Sequence, residues 1–105
     1  MPPDDAVITR WSDSAQFWEK HREVIRQMFT PVAQALIDDA KISAGQSVLD
    51  VATGPGEPAL SVARWVGREG KVIGVDPIPG MIDGGSRAAD RLGLKNVKFE
   101  VASAD

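Results

Sequence analysis

The chain has no cysteine and a single histidine. The first absence excludes disulfides and thiolate metal sites, and one histidine cannot build a metal centre alone. His21 lies in the polar run EKHREV, where it reads as a solvated helix residue. An excess of positive charge is missing too: the net charge is -3, and Lys and Arg are scattered along the sequence. Binding to nucleic acid or to an anionic membrane is therefore not expected. No apolar run approaches membrane-spanning length. The N-terminal MPPDDAVITR is acidic with no apolar centre, unlike a signal peptide. The cytoplasm is the default location. What remains is an ordinary composition, 43% hydrophobic and 26% charged over 105 residues, enough for one compact domain with a modest core.

The order of elements is more informative. Residues 1–11 read as an irregular lead. Ser12 or Asp13 is placed to cap a helix, after which Trp18, Val24, Ile25, Met28 and Phe29 repeat at helical spacing. Thr30-Pro31 reads as a restart, with Thr30 the cap and Pro31 at the first helical position. Val32, Ala33, Leu36, Ile37 and Ala40 form the next stripe. A turn follows at Ala44–Gln46, then SVLDVA as a short apolar strand.

Pro58 falls in the first turn of a helix built on Ala59, Val62, Ala63 and Val66, which Gly67 and Gly70 stop. KVIGVD is a second strand, ending in Asp76. A further helix runs to Leu92, with Gly93 suited to a left-handed stop, and Gly84-Gly85 is expected to weaken its first turns. NVKFEVASAD is a third strand with its exit loop. Strands alternating with helices predict a parallel sheet with right-handed crossovers. In such sheets ligands gather beyond the carboxyl ends of the strands. The glycine turn, Asp76 and Asp105 all fall there.

The turn in VLDVATGPGEPA poses the chemical question. Gly54 and Gly56 lack a Cβ, so the backbone can bend tightly and admit a ligand to contact distance. The helix that follows offers free N–H groups. Asp76 lies twenty positions after Gly56, where a carboxylate can accept from both ribose hydroxyls of an adenosine. GPGEPA also satisfies the dinucleotide fingerprint, so an NAD-dependent oxidoreductase is a rival. Asp50 weighs against it, because an acid four residues before Gly54 faces a pyrophosphate unfavourably. Adenosylmethionine has no phosphate and carries an ammonium and a sulfonium. Charge favours adenosylmethionine.

VLDVATGPGEPALSVA, GKVIGVDPIPGMI and NVKFEVASAD, in that order and spacing, resemble the first three motifs of class I S-adenosylmethionine-dependent methyltransferases. The likeness is greatest to the ubiquinone/menaquinone-biosynthesis type. It implies a Rossmann-like three-layer sandwich with a parallel sheet, of which this chain has the first three strands after two leading helices. Residues 1–45 would be the helical lead and 46–105 the first half of the cofactor-binding domain. S-adenosyl-L-methionine is the implied cofactor, and a small molecule the implied methyl acceptor. The resemblance gives Asp50 to the methionine ammonium, the turn from Ala52 through Gly54 to Gly56 to the methionine part, and Asp76 to the ribose. Pro77 lies near the adenine and Asp105 bonds its amino group. Ala52 departs from the family, where glycine is common.

Each acid also has a plainer role open to it. Asp50 could cap the next helix, and Asp76 could be a turn former before Pro77. Trp18 reads as packing between the leading helices and the sheet, while Trp11 fits that role or a place over the substrate equally. An Asp76→Ala chain is expected to lose cofactor affinity and keep the turn. The family sheet has seven strands, so the acceptor pocket and any general base would lie outside these residues, and the chain reads as an N-terminal piece. A non-catalytic binding or interaction fragment is the remaining alternative. The first strand, paired on one side only, is expected to drive a homodimer or swapped oligomer.

Overall fold

The computed structural model describes residues 5–103. Two helices lead, α1 (Asp5–Lys20) and α2 (Arg22–Asp39). Then come β1 (Ser47–Val51), α3 (Ala59–Val66), β2 (Lys71–Asp76), α4 (Pro79–Leu92) and β3 (Val97–Val101). The strands are parallel in the order β1-β2-β3. The alternation read from the sequence is thus an α/β Rossmann-like sheet, and KVIGVD forms β2 over its full length.

The core is the face of the sheet under the two crossover helices. Val72 and Val97 are buried there against Ala59, Leu60, Val62, Ala63 and Val66 of α3 and Ala88 and Ala89 of α4, with Ile37 of α2 joining them. Each fully buried Val or Leu contributes about 1.5–3 kcal/mol, so this cluster is the main source of stability. The other face leaves Leu49, Val51 and Ile73 exposed. Among the described residues, two of the three expected layers are therefore built.

Gly84-Gly85 does not interrupt α4, which is continuous from Pro79 to Leu92. The glycines make room instead. A Cβ on Gly85 would stand 3.1 Å from the Phe99 ring, one on Gly74 2.8 Å from it, and one on Gly56 3.3 Å. Phe99 thus seats in a slot formed by three glycines from the turn, β2 and α4. Gly93 ends α4 in the left-handed region, φ 69°. The Asn96 amide donates to the carbonyls of Ala63 and Gly67 at 2.8 and 2.9 Å, satisfying the last turn of α3.

The leading helices differ from expectation. No irregular lead reaches residue 11: α1 begins at Asp5, and Ser12 and Asp13 are inside it rather than caps. Ile8, Trp11, Ala15 and Trp18 recur at spacings of three and four, and Ala15 and Trp18 pack on Ile78 and Met81. Nor does Thr30-Pro31 restart the chain. α2 runs through Pro31, and the Thr30 hydroxyl donates to the Arg26 carbonyl at 2.8 Å within the helix. The helical run breaks at His21 instead, an exposed residue with φ -102° and ψ 19°.

Candidate functional site

β1 ends in a turn that no single rotamer choice creates, because its backbone leaves the ordinary regions three times. Ala52 has φ 58°, Gly54 56° and Gly56 114°. For the two glycines this costs little, but for Ala52 a left-handed backbone costs roughly 1–2 kcal/mol. Three bonds hold the turn against that strain. The Thr53 N–H donates to the Val75 carbonyl at 2.9 Å. The Gly54 N–H donates to Asp76 Oδ2 at 3.0 Å, and the Ile78 N–H to Asp76 Oδ1 at 3.0 Å. Asp76 is 7% exposed, so it locks the β1 exit to the β2 exit from beneath.

Asp50 sits one layer lower. Its Oδ2 accepts the Thr53 hydroxyl at 2.8 Å, and the Ala59 N–H at the start of α3 donates to the same carboxylate. Burial pushes its carboxyl above the ordinary carboxylate range. The bonds from Thr53 and Ala59 oppose the shift, and the nearby Asp76 charge adds to it. The plainer role weighed for Asp50, a helix-start and turn acceptor, is the one its contacts display. It is not in the wall of the cavity above.

That cavity, about 470 Å³, lies between the turn and the leading helices. Its floor is Ala52, Thr53, Gly54, Pro55, Glu57 and Pro58 with Asp76, Pro77 and Ile78. Its roof is α1 and α2, including Ile8, Trp11, Trp18, Phe29, Val32 and Leu36. Of the residues named from sequence, Ala52, Gly54, Asp76 and Pro77 line it together; Asp50 and Gly56 support it from behind. Asp105 lies outside the described residues. Both tryptophans line the roof, Trp18 also packing on Ile78 and Met81.

Sequence reasoning missed Glu57, whose carboxylate accepts the Ser61 hydroxyl at 2.7 Å; its signal was direct adjacency to Gly56. Among the described residues, the charged ones in the lining are Glu57 and Asp76, both acids, with no Lys or Arg. Cations do gather elsewhere. Arg64, Arg68, Lys71, Lys95 and Lys98 line a groove at the other end of the sheet, so the basic residues are less scattered in space than in sequence.

A family profile described as a methyltransferase domain matches residues 42–105. The chain belongs to the class I S-adenosylmethionine-dependent methyltransferases. It is 35% identical over 79 residues to the aklanonic acid methyltransferase of Streptomyces sp. (strain C5), covering 75% of this chain and 36% of that protein. It is 42% identical over 76 residues to the demethylmenaquinone methyltransferase of Symbiobacterium thermophilum, covering 70% and 25% respectively. Among solved structures, coclaurine N-methyltransferase bound to N-methylheliamine and SAH matches with a TM-score of 0.67 at 27% identity, over 70% of this chain and 22% of that one. This chain therefore spans about a third or less of these relatives. Similar proteins also include a 23S rRNA methyltransferase of Psychrobacter arcticus, 37% identical over 83 residues, so the family alone does not choose an acceptor.

Proposed function

We propose that the protein binds S-adenosyl-L-methionine in the cavity over the glycine turn and serves methyl transfer to a small, apolar acceptor. One observation carries the choice of cofactor: the cavity floor is acidic and its lining holds no cation. A dinucleotide would set its pyrophosphate against Asp76 and Glu57 with no cation in the described lining, the arginines that act on Glu57, Arg22 and Arg26, lying outside it. A sulfonium and an ammonium suit the same floor. Bound there, the cofactor supplies an activated methyl group.

The chain's own residues hold and orient. Asp76 spends one lone pair of each oxygen on a backbone N–H and keeps others for the two ribose hydroxyls. The turn from Ala52 to Gly54 brings backbone, without bulk, beneath the methionine part. Pro77 is assigned to the adenine side and Asp105 to its amino group. Asp50 acts through the turn, fixing Thr53 and the start of α3, and is a positioning residue. Transfer of a methyl group is a displacement at carbon in which alignment provides most of the acceleration, so a rigid floor is the main requirement.

The roof supports a reading of the acceptor class, in which the described residues form one wall of the acceptor pocket and the rest lies outside them. Ile8, Trp11, Phe29, Val32 and Leu36 offer apolar area and aromatic faces with no charge, which supports an uncharged, flat acceptor over a polyanion. Likeness to methyltransferases named for aklanonic acid and demethylmenaquinone supports the same reading. Calorimetric titration with S-adenosylhomocysteine and, separately, with NAD is the test. S-adenosylhomocysteine is expected to bind and NAD to give no heat; the reverse pattern would return the site to the oxidoreductase reading.

A further inference from the structure

α2 has apolar residues on more than one side, and only part of them is covered. Ala33 and Ile37 are buried in the fold, while Ile25 and Phe29 line the cavity. Val24, Met28, Val32 and Leu36 follow at four-residue spacing and so climb one side of the helix. All four are exposed, Met28 at 68%. Single apolar residues on a surface need no explanation, but a continuous stripe does. Its two ends are polar and opposite in kind: exposed His21 precedes Val24 by three positions, and exposed Asp39 follows Leu36 by three. The series is symmetric about position 30. His21 mirrors Asp39, Val24 mirrors Leu36, and Met28 mirrors Val32.

We propose that this stripe is a homodimer interface, in which two copies pair α2 antiparallel across a two-fold axis at position 30. Such an axis makes every contact reciprocal. Val24 then meets the partner's Leu36, Met28 meets the partner's Val32, and each His21 imidazole meets the partner's Asp39 carboxylate. Polar complementarity, an imidazole N–H donor against a carboxylate acceptor, selects this occupant and this direction. A parallel pair would set Asp39 against Asp39, and a membrane surface would gain nothing from a carboxylate at the stripe's end. Val32 and Leu36 also line the cavity, so the partner's α2 covers part of its rim. The dimer itself does not depend on which cofactor the cavity holds.

A single pair of helices is a small interface, at the low end where association is weak, so a dissociation constant on the order of 10–100 μM is expected. Sedimentation equilibrium of the 105-residue chain, read over that range, tests it. Met28→Glu is expected to weaken dimerisation at least tenfold. Asp39→Lys should weaken it comparably, and adding His21→Glu to the same chain should restore it, because each exchanged pair then carries opposite charges. The series is repeated with Leu49→Lys and Val51→Lys in place, which removes the β1 edge as a second route to association. As the natural chain has no thiol, Met28→Cys also allows capture of the pair by a short bismaleimide in an otherwise unchanged protein. A monomer throughout the range with no cross-link, a dimer indifferent to Met28→Glu, or a charge swap that does not restore would each overturn the proposal.

Discussion

Asp76 has two demands on one carboxylate. Its oxygens already accept the Gly54 and Ile78 N–H groups, so the residue is part of the turn before any ligand arrives. The expectation that Asp76→Ala would spare the turn therefore needs correction. The alanine chain leaves two backbone donors without their acceptors, each costing roughly 1–3 kcal/mol when buried. Urea unfolding without ligand is expected to show a loss of that order, alongside weaker binding of S-adenosylhomocysteine; a variant of unchanged stability would mean that water replaces both bonds at no cost. The carboxylate's place at the end of β2 was legible, because a hydrophobic strand closing on an acid before Pro77 is a sequence pattern. Its bond to Gly54 was not, since it spans 22 positions and depends on how two strand exits meet. Ala52 is similar: nothing about an alanine announces φ 58°, and only its occupation of a common glycine position hinted at it. Asp50 was legible as an acid able to cap the next helix, and Ala59 at the start of α3 is one of its partners; the Thr53 hydroxyl, its other partner, was not legible.

At the scale of elements, the parallel βα part and the presence of two leading helices were readable, and the ends of those helices were not, for one physical reason. A strand between a glycine stop and a glycine turn has ends fixed by local chemistry. Two amphipathic helices in succession have ends fixed by what they pack on. Thr30-Pro31 has the composition of a helix start, yet Thr30 turns its hydroxyl back to Arg26 and the helix continues. α1 in turn is held by a tertiary pair that sequence could not reveal: Arg87 of α4 donates to both Glu19 oxygens, at 2.7 and 2.6 Å. The hydrogen bond from Arg87 is the main cause holding the Glu19 carboxyl below its ordinary range. A lowered acid contributes stability that is present above its unfolded value and is lost as pH falls through its folded one. The protection factors of α1 amides, with the slower intrinsic exchange at low pH divided out, should therefore fall on acidification below the ordinary glutamate range. In Glu19→Gln that acid step should vanish, with α1 already looser at neutral pH by up to about 1 kcal/mol, as befits a solvent-facing pair. Equal protection in the two chains at neutral pH would mean that the Ala15 and Trp18 packing on Ile78 and Met81 holds α1 alone.

For the whole molecule, the sheet poses a problem that its helices do not solve. Parallel sheets are normally covered on both faces, and here Leu49, Val51 and Ile73 remain exposed on one of them, Leu49 at 62%. Among the described residues β1 also pairs with β2 alone, which leaves its outer row of N–H and C=O groups open for strand addition in this chain. Two copies can join these edges about a two-fold axis, which was the association expected from sequence. The α2 stripe lies elsewhere on the molecule and has a two-fold axis of its own. Two different self-complementary contacts on one chain link copies into an open series unless their axes happen to close it. Light scattering of the unmodified chain is therefore expected to give a weight-average mass that continues to rise beyond the dimer as concentration increases. Leu49→Lys with Val51→Lys places charge on the strand edge and should arrest growth at the dimer formed by α2, while adding Met28→Glu should leave a monomer. Both lysines enter exposed positions, so the circular dichroism spectrum should not change. If the unmodified chain levels off at a dimer and the lysine pair has no effect on it, the β1 edge is inert and α2 alone governs assembly.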